Sequence, residues 1–174
     1  TRPPLCHALK YAVLPVEIGV PRPHRALARP GMRDRVELWA DGAPKTAYDP
    51  LRMVLLGADR VGMATMAMVA IGCTICRQCQ MDTCHVGIAT QIETLEQAQA
   101  HGLKRFVPQE QSRAVEQLVH FFAAKGNELR RLVAALGEVS LRNLVGRSDL
   151  LTQEGHSDEV DLRYFFEPVS APEW

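Results

Sequence analysis

The clearest hydrophobic pattern in the chain runs from Ser112 to Leu136. Val115, Leu118, Val119, Phe122, Leu129, Leu132, Val133 and Leu136 recur at helical spacing on one face, while Glu116, Lys125, Glu128 and Arg131 face elsewhere. That spacing predicts one long amphipathic helix. Gly126 interrupts it and marks a candidate bend, and Gly137 is a natural stop. A shorter helix capped by Ser140 is expected next, and another over Glu93–Ala100.

Upstream, the apolar stretch Leu5–Val13 reads as a short helix that stops before Pro15. Pro21, Pro23 and Pro30 punctuate the segment after it, leaving room for one helix over His24–Arg29. Val36–Ala40 is a strand candidate that ends at the turn Asp41–Pro44. Asp49 is placed to cap a helix with Pro50 at its first position, ending near Gly57. A second strand, Arg60–Gly62, comes next. Strand, turn, helix and strand in this order form a β-α unit and imply a parallel sheet, hence an α/β fold.

Composition removes several alternatives. The chain has 174 residues, 47% hydrophobic and 23% charged, with 20 basic and 20 acidic side chains. Balanced charge without a basic stripe gives no reason to expect a nucleic-acid partner. The longest apolar run, Met63–Gly72, is too short to span a bilayer, and Thr1–Pro4 carries no secretory signal. Five cysteines, four of them bunched, speak against a secreted disulfide framework and fit the reducing cytoplasm. The abrupt start at Thr1 reads as an internal piece of a longer chain, and the polar, proline-bearing stretch from Thr152 as a linker or tail.

The four bunched cysteines, Cys73, Cys76, Cys79 and Cys84, lie within twelve residues. Thiolates this close commonly share a metal or cluster. Three arrangements are open on spacing: a three-iron cluster on Cys73, Cys79 and Cys84 with Cys76 as a bystander, a four-iron cluster on all four, or structural zinc. The run resembles the bacterial ferredoxin pattern, but its last gap is one residue longer and His85 stands where proline would come next. A compact run suits zinc poorly, because structural zinc usually takes two separated cysteine pairs. His85, next to a ligand, is a candidate to tune the cluster through a hydrogen bond to sulfur; Cys6 reads as a buried apolar residue.

Two turns are candidate phosphate sites: Asp41, Gly42 and Ala43 after the first strand, and Gly62, Met63, Ala64 and Thr65 after the second. In (β/α)8 barrels, loops after the last two strands often hold a phosphate at backbone N–H groups. A cluster beside such turns suggests electron transfer to a flavin.

Taken together, Leu9–Pro15, Arg33–Val36, Asp41–Gly42, Gly57–Gly62, the cysteine loop with Val86–Gln91, and Gly146–Leu151 resemble the large (alpha) subunit of glutamate synthase, over about residues 1–151. The resemblance implies the C-terminal portion of an FMN-binding (β/α)8 synthase barrel. Its later part would occupy residues 1–91, with the cluster loop at 66–91, a helical extension at 92–151 and a linker or tail at 152–174. In the family, the cysteines matching Cys73, Cys79 and Cys84 hold a [3Fe-4S] cluster, the position of Cys76 is not a ligand, and the two turns hold the FMN phosphate. The implied reaction moves glutamine-derived ammonia onto 2-oxoglutarate to give glutamate. Electrons would come from an NADPH-dependent flavoprotein small subunit or from ferredoxin. Catalytic residues, the glutaminase domain and the upstream barrel would lie outside this stretch, so the piece alone is expected to be inactive. Departures from the family pattern fall at Arg2, Pro4, Ala43, Ala64 and His85. They motivate an alternative, a non-catalytic or degenerate module whose thiolates hold zinc or a four-iron cluster for assembly.

Overall fold

The computed structural model describes residues 15–42, 44–167 and 169. The expected helix over Leu5–Val13, Cys6, Arg2, Pro4 and the candidate Ala43 lie outside the described residues. Two compact units emerge. One takes in the described chain up to Met63 and again from Glu128, and the other is Ala64–Asn127.

The first unit opens with α1 (Val16–Gly19) and α2 (Pro21–Ala28). The second of these starts three residues before the position expected from the sequence. Pro21 sits at its first position, where the missing N–H would have had no intrahelical partner. Strands β1 (Trp39–Asp41) and β2 (Arg60–Gly62) pair in parallel, with Trp39 opposite Arg60, Ala40 opposite Val61 and Asp41 opposite Gly62. The crossover between them is α3 (Tyr48–Leu55). The described chain is therefore mostly helical with a small parallel sheet, compatible with the α/β class.

The strand begins at Trp39 rather than Val36 because side chains claim the earlier backbone groups. Arg33 Nη1 donates to the Val36 carbonyl at 2.8 Å, and the Leu38 N–H donates to Asp59 Oδ2 at 2.7 Å. Asp49 does not cap α3 in the expected way. Its Oδ2 accepts from the Lys45 and Thr46 N–H groups, each at 2.8 Å, and so closes the turn before the helix.

Helix α3 is buried on two sides. Met53 and Leu56 pack with Val20, Ala40 and Ala58; Leu51, Val54 and Leu55 pack with Val133 and Leu144. Each such side chain removed from water contributes roughly 1.5–3 kcal/mol. Gly57, with φ +113°, stops the helix near the expected place.

The second unit carries α4 (Ala64–Ala70), α5 (Leu95–Ala100) and the start of α6 (Gln111–Ala135), around Ile92, Ala98 and Phe106. Helix α5 is fixed by a capping box: Thr94 Oγ1 accepts from the Gln97 N–H, and Gln97 Oε1 accepts from the Thr94 N–H. Helix α6 continues through Gly126 without interruption and ends at Ala135, with Gly137 at φ +78° just beyond it. Its apolar stripe is divided. Val133 is buried in the first unit, whereas Val115, Val119 and Phe122 are exposed. Ser140 does cap, accepting from the Arg142 N–H, but the element it opens is the 3-10 turn Leu141–Leu144 rather than an α-helix. Beyond Thr152 lies α7 (Arg163–Phe166), whose Tyr164 ring stacks under the Arg25 guanidinium at 4.3 Å. No helix among the described residues is long and apolar enough to cross a membrane.

Candidate functional site

The cysteine loop starts where α4 ends. Gly72 turns the chain at φ +101°, and a Cβ there would lie 2.9 Å from the Gln109 amide nitrogen, so a side chain is doubly disfavoured. Cys73, Cys76, Cys79 and Cys84 are all free thiols. They line one small cavity with the apolar side chains of Met68, Val86, Ile88 and Ala89. Cys84 is buried, Cys73 half-buried, and Cys76 and Cys79 are exposed.

Burial pushes the Cys84 thiol up. The backbone N–H groups of Ala89, Val86, Ile88 and Gly87 outweigh it and hold the thiol pKa below its ordinary value. A sulfur surrounded by amide donors is set up as a thiolate. The Ile75 N–H likewise points at Cys73 Sγ, at 3.4 Å. Ile75, Arg77 and Asp82 are in the left-handed region, with φ 56°, 57° and 53°. Such residues are uncommon, and a β-branched one like Ile75 is an outlier. Asp82 anchors the far side of the loop: its Oδ1 accepts from the Gln91 N–H at 2.7 Å, and its carbonyl from Thr90 Oγ1 at 2.9 Å. The segment behind Cys84 is clasped by residues 107–109. The Val107 N–H donates to the His85 carbonyl, the Gln109 N–H to that of Val86, and Gly87 (φ +73°) admits Pro108.

Do these residues fit a metal group? Among the described residues no three His, Cys, Asp or Glu side chains stand close enough to hold a single ion. That disfavours zinc, whose four thiolates must meet at one point about 2.3 Å from the metal. An iron–sulfur cluster binds each thiolate through a different iron and tolerates wider separation. Four thiols around one apolar-walled cavity, with amide donors on the sulfurs, match its chemistry. The enclosed space is about 10 Å³, and Thr74, Cys76, Gln78 and Cys79 of the limb Thr74–Met81 border it. That limb is exposed throughout.

The phosphate candidates divide. Asp41, Gly42 and Gly62 come together in the first unit at the carboxyl ends of the parallel strands, Asp41 directly opposite Gly62. Met63 closes that unit, and Ala64 and Thr65 are the first residues of α4 in the other. Exposed backbone at Gly42 and Gly62 suits a phosphate held by N–H groups. The Asp41 carboxylate does not: its Oδ2 would be 3.5 Å from a Cβ at residue 62. Gly42 also has a packing role, since a Cβ there would approach Val16 Cγ1 to 2.9 Å.

Sequence reasoning singled out no role for Arg33. Its guanidinium donates to His24 Nδ1 at 3.0 Å, to the Val36 and Gly57 carbonyls at 2.8 Å each, and to Asp59 Oδ2 at 2.6 Å. His24 is wedged between Gly57 and Gly146, where added Cβ atoms would come within 2.3 and 2.5 Å of the ring. His24, Arg33, Asp59 and Gly146 border a cleft of about 910 Å³. The partners are 3 to 26 residues from Arg33, so only the short Arg33–Val36 contact leaves a local signal.

A family sequence model described as a conserved region in glutamate synthase matches residues 5–139. The chain is 42% identical over 146 residues to ferredoxin-dependent glutamate synthase 2 of Synechocystis sp., covering 83% of this chain and 8% of that protein. It is 36% identical over 159 residues to the glutamate synthase [NADPH] large chain of Azospirillum brasilense, covering 89% and 10%. Against the glutamate synthase [NADH] of Schizosaccharomyces pombe the identity is 40% over 143 residues, covering 82% and 6%. The chain thus spans a tenth or less of the length of these relatives. With a match of this extent to the conserved region and to several large chains, the protein belongs to the glutamate synthase family.

Proposed function

We propose that this chain is the part of a glutamate synthase that seats an iron–sulfur cluster on Cys73, Cys79 and Cys84 and contributes backbone to an FMN phosphate site in the later half of a (β/α)8 barrel. The observation that carries the reading is the cysteine cavity, with its apolar walls and the amide donors converging on Cys84. When bound, the cluster supplies single-electron transfer and the flavin supplies hydride for reductive transfer of glutamine-derived ammonia to 2-oxoglutarate. The chain's own residues hold and orient. Cys84 offers a thiolate from a buried, amide-lined seat. Asp82 fixes the loop to Thr90 and Gln91, and Gly87 lets Pro108 close behind it. Gly42 and Gly62 offer backbone N–H groups at the strand ends. The relatives' names include ferredoxin, NADPH and NADH, so the likeness does not choose among electron donors. Free thiols in such number suit a reducing compartment such as the cytoplasm.

The test is metal and sulfide content of the protein carrying this chain, purified without oxygen. Wild type is expected to hold iron with acid-labile sulfide, and Cys79→Ala to lose most of both. Stoichiometric zinc in place of iron, or full iron retention in Cys79→Ala, overturns the assignment.

A further inference from the structure

We propose that Cys76 is a conditional fourth ligand, which lets the site take up a fourth iron and exchange between three- and four-iron forms. The inference rests on the cluster reading under Proposed function and goes beyond it, because family likeness gives this position no role. Three observations on the chain itself carry it. Cys76 lines the same cavity as Cys73, Cys79 and Cys84. Its spacing, with two residues between it and Cys73 and two between it and Cys79, is that of the repeating thiolates of four-iron ferredoxins. Its neighbours on both sides, Ile75 and Arg77, are held in the left-handed region at φ 56° and 57°. That conformation costs energy in any residue with a Cβ, and most in a β-branched one. Apolar burial does not offset the cost: Ile75 is 50% exposed and the limb around it lies in solvent. The backbone is bent where Cys76 reaches the cavity, with only the half-buried Ile75 packed in return, as expected of a loop shaped for a ligand.

The exchange balances with ferrous ion as co-reactant for uptake and a one-electron oxidant for release. A reduced three-iron core of zero net charge takes up one ferrous ion and becomes a four-iron core of charge 2+, so no electron is exchanged. The Cys76 thiol releases its proton to solvent as its sulfur bonds the incoming iron. A one-electron oxidant reverses this: the ferrous ion leaves, the thiol regains its proton, and the three-iron core gives up one electron. Because Cys76 is exposed, the exchanging iron has an open path to solvent.

The experiment uses the anaerobically purified protein, wild type and Cys76→Ser. Each is treated with dithionite and ferrous ion, desalted, and measured for iron, acid-labile sulfide, and Mössbauer and electron paramagnetic resonance spectra. In wild type the ratio should rise from about three to about four irons per four sulfides, with a four-iron spectrum. Cys76→Ser should keep its three-iron core with at least about tenfold less conversion. A wild-type ratio that stays at three to four overturns the proposal alone, as does equal conversion in both proteins. Absence of iron and sulfide from both overturns the proposal together with the cluster reading.

Discussion

Arg33 and His24 act as a pair whose worth depends on the proton at one nitrogen. The Arg33 Nε–H donates to His24 Nδ1, so the imidazole must be neutral there. Burial first, then the charges of Arg33 and Arg25, lower the His24 pKa, opposed by Asp59. The unfolded chain therefore binds this proton more readily than the folded one, below the ordinary value of 6.5. Stability should be level at neutral pH, fall as pH drops through 6.5 toward the lowered folded value, and level off below it. His24→Gln, which keeps an acceptor for Arg33, should remove that step from a plot of Tm against pH; an unchanged profile would place the titration elsewhere. This network was not legible in the sequence, because its members are brought together only by folding. The cysteines were legible as a group because four on one loop stand out by their spacing, and the fold brings all four to one cavity; which of them hold a metal belongs to the proposal. The left-handed Ile75 and Arg77 were not, since neither residue type prefers that conformation.

Among the elements, β2 was legible to the residue and β1 to within three positions. Alternating or bounded apolar runs mark a strand's existence, whereas its ends depend on which groups take the backbone hydrogen bonds. At β1 those groups belong to Arg33 and Asp59, brought in from outside the strand. Helix α4 leaves little trace in the sequence, because the stretch after Gly62 reads as a turn and an apolar run. Its small first residues also serve a helix start. The strand-end turn offers a direct test of cofactor binding. A Cβ at residue 62 meets Asp41 atoms only at ordinary contact distance, 3.4 to 3.6 Å, and its backbone needs no positive φ. Gly62→Val should leave stability within about 1 kcal/mol, while lowering FMN affinity at least about tenfold if the N–H groups there reach the phosphate. Flavin absorbance after gel filtration reads the outcome, and undiminished flavin would remove Gly62 from the phosphate site.

For the molecule as a whole, the two units hold their interiors by different means. The first has two apolar clusters centred on α3. The second has a smaller one around Ile92, Ala98 and Phe106, with its cysteine loop tied down by Asp82 and the 107–109 segment. Binding that favours the folded loop adds to its stability by mass action, so on the proposed cluster reading removal of the metal should act locally. Chelation of iron in the intact protein is expected to speed hydrogen exchange across residues 73–91 and leave Leu51–Leu55 protected. Equal loss of protection in both would mean that the metal supports the whole chain rather than one loop.

The uneven exposure of the four sulfurs bears on damage and repair. Peroxide or a chelator arriving from bulk water meets the exposed Cys76 and Cys79 before it can reach the buried Cys84. On the proposed cluster site, breakdown should therefore run from the rim inward, with the innermost thiolate keeping its grip longest. A partly stripped site would retain an anchored remnant on which the lost metal can be replaced.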